Sequence, residues 1–223
     1  MSTLSASGAV QKGLGEARGR LALMASPDVL IMAILSIFLF LALLAALVLV
    51  VISLRAPSNL PLLVAAGLVV LAVVVVAVTP VNVTTLFGLI LALLATALAV
   101  LGGDPITRRI LTIATHGSVR DGSGGGILVA DSDQDAAALA GSTPHLEEVM
   151  RGGATIGYLE RISVVVAIVA GFPEALAVVV AVKGIGRFSE LARPEARERF
   201  IIGTMSSLLW ACVVGALVRL AIW

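Results

Sequence analysis

Residues 156–200, IGYLERISVVVAIVAGFPEALAVVVAVKGIGRFSELARPEARERF, decide the architecture of the chain. The stretch reads outward from Gly171-Phe172-Pro173 as two opposed apolar halves. From the Gly171/Phe172 junction, Glu160 lies as far upstream as Lys183 lies downstream, and Gly157 mirrors Gly186. Two helices folded back at that point bring Glu160 and Lys183 to one depth, because each rises about 1.5 Å per residue. A slip of one turn would bring Arg187 to Glu160 instead. An unpaired charge in hydrocarbon is costly and marks function, whereas a paired one can be structural.

The signals around the stretch support a hairpin. Pro173-Glu174-Ala175 and Pro194-Glu195-Ala196 repeat one helix-start pattern. Proline suits the first helical turn, and a carboxylate there is favoured by the helix dipole. The reading is two helices, 155–171 and 173–190. The rival reading runs one helix through Ile162–Val182 and leaves Glu174 beside a proline near mid-membrane.

Working toward the N-terminus, Val29–Leu54, Leu60–Thr79 and Val83–Leu101 contain no ionisable residue over 26, 20 and 19 positions. About 20 helical residues cross a hydrocarbon core of about 30 Å, so each run can span a bilayer. Thr79-Pro80-Val81-Asn82 separates the second run from the third, since proline ends or kinks a helix. Composition agrees: 59% of residues are hydrophobic, 13% are charged, and mean hydropathy is +1.11. Val29–Leu54 is about twice as long as the apolar part of a cleavable signal and follows 28 mostly polar residues, so it reads as a retained helix.

The expected fold class is all-α, a polytopic transmembrane bundle of about six spans. Residues 1–28 read as a flexible N-terminal tail and 29–101 as three transmembrane helices. Residues 102–154 read as a flexible extramembrane loop, and 155–223 as the hairpin and a final span. With the N-terminus outside, only Lys12, Arg18, Arg20 and Arg219 of the 15 basic residues remain outside, and the other eleven face the cytoplasm. Five spans with the N-terminus inside divide the same residues almost evenly. The positive-inside tendency therefore favours six. Arginine outnumbers lysine 13 to 2, which fits a GC-rich bacterial genome, and a polytopic bacterial chain is expected in the plasma membrane.

Glu160, Arg161, Lys183 and Arg187 form the candidate polar constellation. Lys183 and Arg187 are four apart and share a helix face. The group suits either an ion-paired clamp whose long side chains reach toward water, or an intramembrane ion or proton path. Gly203, Ser207, Ala211 and Gly215 recur every fourth residue in the last span. Such a face lets helix backbones approach closely, within the chain or against another subunit.

The remaining motifs exclude more than they suggest. Cys212 is the only cysteine, so neither an intrachain disulfide nor a CxxC metal pair can form. Asp131-Ser132-Asp133-Gln134-Asp135 has the spacing that opens an EF-hand loop. Ala136 replaces the turn glycine, however, and Ser142 replaces the bidentate glutamate. The glycines from Gly117 to Gly126 match no phosphate-binding pattern. His116 and His145 lack a second ligand nearby, and no nucleophile motif is present. No catalytic, cofactor or metal site is implied. A net charge of +1 gives no support for nucleic-acid binding. The expected partners are the lipid bilayer and another copy of the chain or a different membrane protein.

Three blocks resemble a known arrangement: Arg151–Arg161 (RGGATIGYLER), Ala181–Phe188 (AVKGIGRF) and Glu198–Thr204 (ERFIIGT). With Pro173-Glu174-Ala175, they resemble the GLER-like box, PEA-like turn, lysine/RF box and IGT-like box of a C-terminal module in uncharacterised bacterial multi-pass membrane proteins. The likeness covers about residues 151–212 and carries an inserted Tyr158 in the first box. It implies a helical hairpin followed by one helix, and no particular chemistry.

Overall fold

The computed structural model describes residues 26–55, 59–114, 127–129, 147–149, 153–186, 188 and 194–223. Six helices make up nearly all of it: α1 (Pro27–Arg55), α2 (Asn59–Val78), α3 (Thr85–Ala114), α4 (Gly153–Val169), α5 (Ala175–Gly186) and α6 (Pro194–Ile222). The fold is an all-α bundle. Among the described residues there is also a ribbon in which β1 (Ile127–Val129) pairs antiparallel with β2 (Glu147–Val149). Four helices, α1, α2, α3 and α6, are long and apolar enough to cross a membrane. The hairpin arms are shorter, at 17 residues for α4 and 12 for α5.

Away from any charged ends, the first three helices are apolar all round, so hydropathy alone does not say which side faces inward. Spacing and size do. In α2 the buried residues are Leu62, Ala65, Val69, Ala72 and Val76, alternating by three and four along one seam. In α3 the buried stripe runs Gly88, Leu91, Ala95, Leu98, Ala99, Gly102 and Gly103. Alanines and glycines in these stripes allow the close helix approach that drives association in lipid. The outward sides are as apolar as the core, with Leu63, Leu86 and Leu93 largely exposed. Lipid tolerates such a surface; water does not.

Several hydroxyls in and beside the apolar helices bond to their own backbone. The hydroxyls of Ser36, Thr79, Thr96, Ser163 and Ser206 each donate to a carbonyl four residues back, at 2.6 to 2.8 Å. In hydrocarbon no water is available to do this. Trp210 on α6 donates its indole N–H to the Leu98 carbonyl of α3 at 3.3 Å, and Gly102 leaves room for its ring.

The ends of the helices fix their levels. Val83 N–H donates to the Ala221 carbonyl at 2.9 Å, so the start of α3 lies beside the end of α6. The Phe40 and Phe87 rings lie 6.3 Å apart, placing the middle of α1 at the start of α3.

Two boundaries differ from the sequence reading. The third apolar helix does not stop at Leu101 but runs through Pro105 to Ala114, so the segment read as a loop from 102 begins as helix. Proline removes one backbone hydrogen bond. Packing sustains the continuation, since Thr107 and Leu111 lie against Gly203 of α6. The hairpin turn is also longer than expected: α4 closes at Val169 and α5 opens at Ala175, not at Pro173.

Candidate functional site: two ion pairs on one turn of α4

The hairpin turn is built from backbone requirements. Gly171 has φ +78°, a conformation open to glycine at no steric cost. Phe172 N–H donates to the Ala167 carbonyl at 2.8 Å, and Gly171 N–H donates to Ile168 at 3.0 Å. This pairing satisfies the last carbonyls of α4 in a Schellman motif. The Val169 carbonyl accepts from Arg219 Nη1 of α6 at 3.4 Å. The chain then re-enters helix through three tight bonds to residues three back, from Ala175, Leu176 and Ala177 to Phe172, Pro173 and Glu174. Glu174 is exposed at this helix start.

Folding back at this turn brings Glu160 and Lys183 together. Lys183 Nζ donates to Glu160 Oε2 at 2.5 Å. Lys183 also lies 5.7 Å from the ring centroid of Phe200, which links α5 to α6 through a cation–π contact. The mirrored glycines make no such contact. Gly157 lies under the guanidinium of Arg161, while the space around Gly186 is open. The hairpin tie is therefore made by long side chains.

Arg161, the next residue, turns the other way. Its Nη2 donates to Asp104 Oδ1 of α3 at 2.8 Å, and its Nη1 donates to Ser207 Oγ of α6 at 3.0 Å. The residue is 1% exposed, and it also stacks over the Tyr158 ring at 5.3 Å. Gly103 makes room for it, since a Cβ there would fall 2.6 Å from Arg161 Cζ. Ser207 lies twelve residues before Arg219 and eight after Arg199, about 18 Å and 12 Å along the helix axis. These distances place the Arg161 contact within the depth of a bilayer.

The two arrangements use α4 as a shared post. Glu160 faces α5, and Arg161 faces α3 and α6. A charge of one sign on each side leaves the local sum near zero, which lowers the cost of holding four ionisable groups at this depth. Among the described residues, Glu160 Oε1 and Arg161 Nε are buried without a hydrogen-bond partner. Arg187 lies outside the described residues.

The small-residue face of α6 packs inside the chain. A Cβ at Gly203 would fall 3.7 Å from Leu111 and Thr107 of α3, Ser207 accepts from Arg161, and a Cβ at Gly215 would fall 3.3 Å from Ile168 of α4. Ala211 is fully buried. Asp104 is the residue that sequence reading missed. The available signal was a lone carboxylate directly after a paired glycine, at the end of an apolar run.

No protein-family model, curated protein or solved structure matches the chain. What the protein is rests on its own residues: an integral bundle whose helices are suited to lipid, with two ion pairs fastening a short hairpin into it.

Proposed function

We propose that this chain is a non-catalytic component of a bacterial plasma membrane, a scaffold that holds partner proteins. The observation that carries this reading is the mutual closure of the deep charges. Glu160 is bound by Lys183, and Arg161 by Asp104 and Ser207. Groups engaged in this way hold helices together. The resemblance of residues 151–212 to a module of bacterial multi-pass proteins fits a bacterial membrane location and carries no particular role. The test is reconstitution. Purified protein in proteoliposomes should give proton, sodium, potassium and chloride flux at the level of empty vesicles, and mild solubilisation should retain a co-purifying membrane protein. Protein-dependent flux abolished by Glu160→Gln would overturn the scaffold reading.

One observation favours a second reading, a small transporter or channel. Glu160 Oε1 is buried and accepts no hydrogen bond among the described residues, so it offers a site for a proton or cation. The same flux experiment separates the two.

A further inference from the structure

We propose that the end of α3 beyond Pro105 is a binding site for anionic phospholipid headgroups, with Arg108 and Arg109 holding the phosphate. The argument begins with length. Helix α3 has 30 residues, about 45 Å at 1.5 Å per residue. Thr85–Gly103 contains no ionisable group and covers about 28 Å, close to the thickness of a hydrocarbon core. At the Thr85 end, Gly88 meets Ile222, close to the end of α6. The excess therefore emerges at the other end, as the turns beyond Pro105.

One side of this extension is occupied, where Thr107 and Leu111 lie against Gly203. The remaining sides carry two kinds of group. Ile110 and Ile113 are 36% and 64% exposed, and Arg108 and Arg109 are exposed beside them. Among the described residues neither arginine has an ion pair or hydrogen bond from its side chain. The nearest carboxylate along the helix, Asp104, is held by Arg161 at 2.8 Å.

Exposed isoleucines are unfavourable in water, and free guanidinium groups are unfavourable in hydrocarbon. Both are satisfied at the boundary between acyl chains and headgroups. There, about 8 Å beyond Gly103 along the axis, the arginines sit at the level of phosphate, and the isoleucines follow them along the interfacial stretch of the helix. A guanidinium presents paired N–H groups that match two phosphate oxygens. Arg55 closes α1 at the same end and is exposed too. It lies fifteen residues beyond Phe40, whose ring neighbours Phe87 at the start of α3. That adds a third cation on this side of the bundle, so the favoured lipid is one with a net negative headgroup.

Thermal unfolding of the full-length protein in zwitterionic detergent tests the proposal, with phosphatidylglycerol, phosphatidylcholine or inorganic phosphate added. Phosphatidylglycerol should raise Tm by about 3–6 °C, as expected for a ligand that binds only the folded state. Phosphatidylcholine and inorganic phosphate should leave Tm unchanged. The variant R108Q/R109Q should unfold at the wild-type temperature in detergent alone and lose the phosphatidylglycerol shift. R108K/R109K, which keeps the charge, should retain more than half of it. Equal shifts from both lipids, or a shift that survives in R108Q/R109Q, would overturn the proposal. A shift from inorganic phosphate alone would assign the site to a free anion. A fall in the Tm of R108Q/R109Q without lipid would show that a protein carboxylate, such as those of Asp131–Asp135, holds the arginines instead.

Discussion

Glu160 and Arg161 are consecutive in the chain, yet they bind in different directions, one to Lys183 of α5 and the other to Asp104 of α3. A helix turns about 100° per residue, so neighbours on α4 face different helices. The consequence is mechanical. One turn of α4 ties the second hairpin arm to the first, and ties the first to the rest of the bundle. Helix α5 depends on this, because none of its residues is buried.

Removing Asp104 should expose the cost of an isolated deep cation. Arg161 is 1% exposed, and Asp104→Asn would leave it with Ser207 and no counter-charge. A loss of about 3–5 kcal/mol is expected, as for other broken buried pairs. Unfolding in detergent measures it. A loss below about 1 kcal/mol, the range of an exposed pair, would show that solvent reaches the guanidinium.

Glycines should respond differently according to what a methyl group would meet. At Gly103 a Cβ would fall 2.5 Å from Arg161 Nη1, whose guanidinium is held on two sides. Gly103→Ala should destabilise by about 1–3 kcal/mol through overpacking. At Gly67 of α2 nothing lies within 4 Å. There Gly67→Ala should stabilise by up to about 1 kcal/mol through helix propensity. Thermal unfolding of the two variants side by side decides the matter, and equal effects would count against the packing described.

The hairpin tip supplies a third test. Gly171→Ala places a Cβ on a residue at φ +78° and 2.5 Å from Arg219 Nη1. The backbone conformation alone costs about 1–2 kcal/mol. Arg219→Ala removes the donor to the Val169 carbonyl and should relieve part of the crowding in the double variant. Strict additivity of the two substitutions would show that the tip and the end of α6 do not touch.

The hairpin was legible because its two charges are equidistant from a glycine–proline turn, and helical rise converts equal counts into equal depth. The three early helices were legible from length and the absence of charge. Asp104 was not, for a physical reason. Gly102-Gly103-Asp104-Pro105 contains the residues that stop an isolated helix, and only tertiary packing carries α3 through them. The same two glycines admit the Trp210 ring and the Arg161 side chain, a use that local propensity does not reveal. The small face of α6 was visible as a four-residue repeat, but its partners α3 and α4 became clear only from the fold.

Orientation has its own test. Single cysteines at Arg120 and Asp133, in a Cys212→Ser background, should react with an impermeant reagent in cells only after permeabilisation. The expectation rests on the distribution of basic residues, eleven of 15 on the side that includes Arg108 and Arg109. Labelling of intact cells would reverse the topology without altering the fold.

The central claim, that Glu160 and Lys183 fasten the hairpin as a pair, is tested most directly by a charge-reversal cycle followed by unfolding in detergent. Glu160→Lys and Lys183→Glu should each destabilise the protein, because each sets two like charges together at depth. The double variant restores opposite charges at the same spacing and should recover much of the loss, with a coupling of about 1–3 kcal/mol. A double variant as unstable as the sum of its parents would contradict the pairing and remove the basis for the clamp.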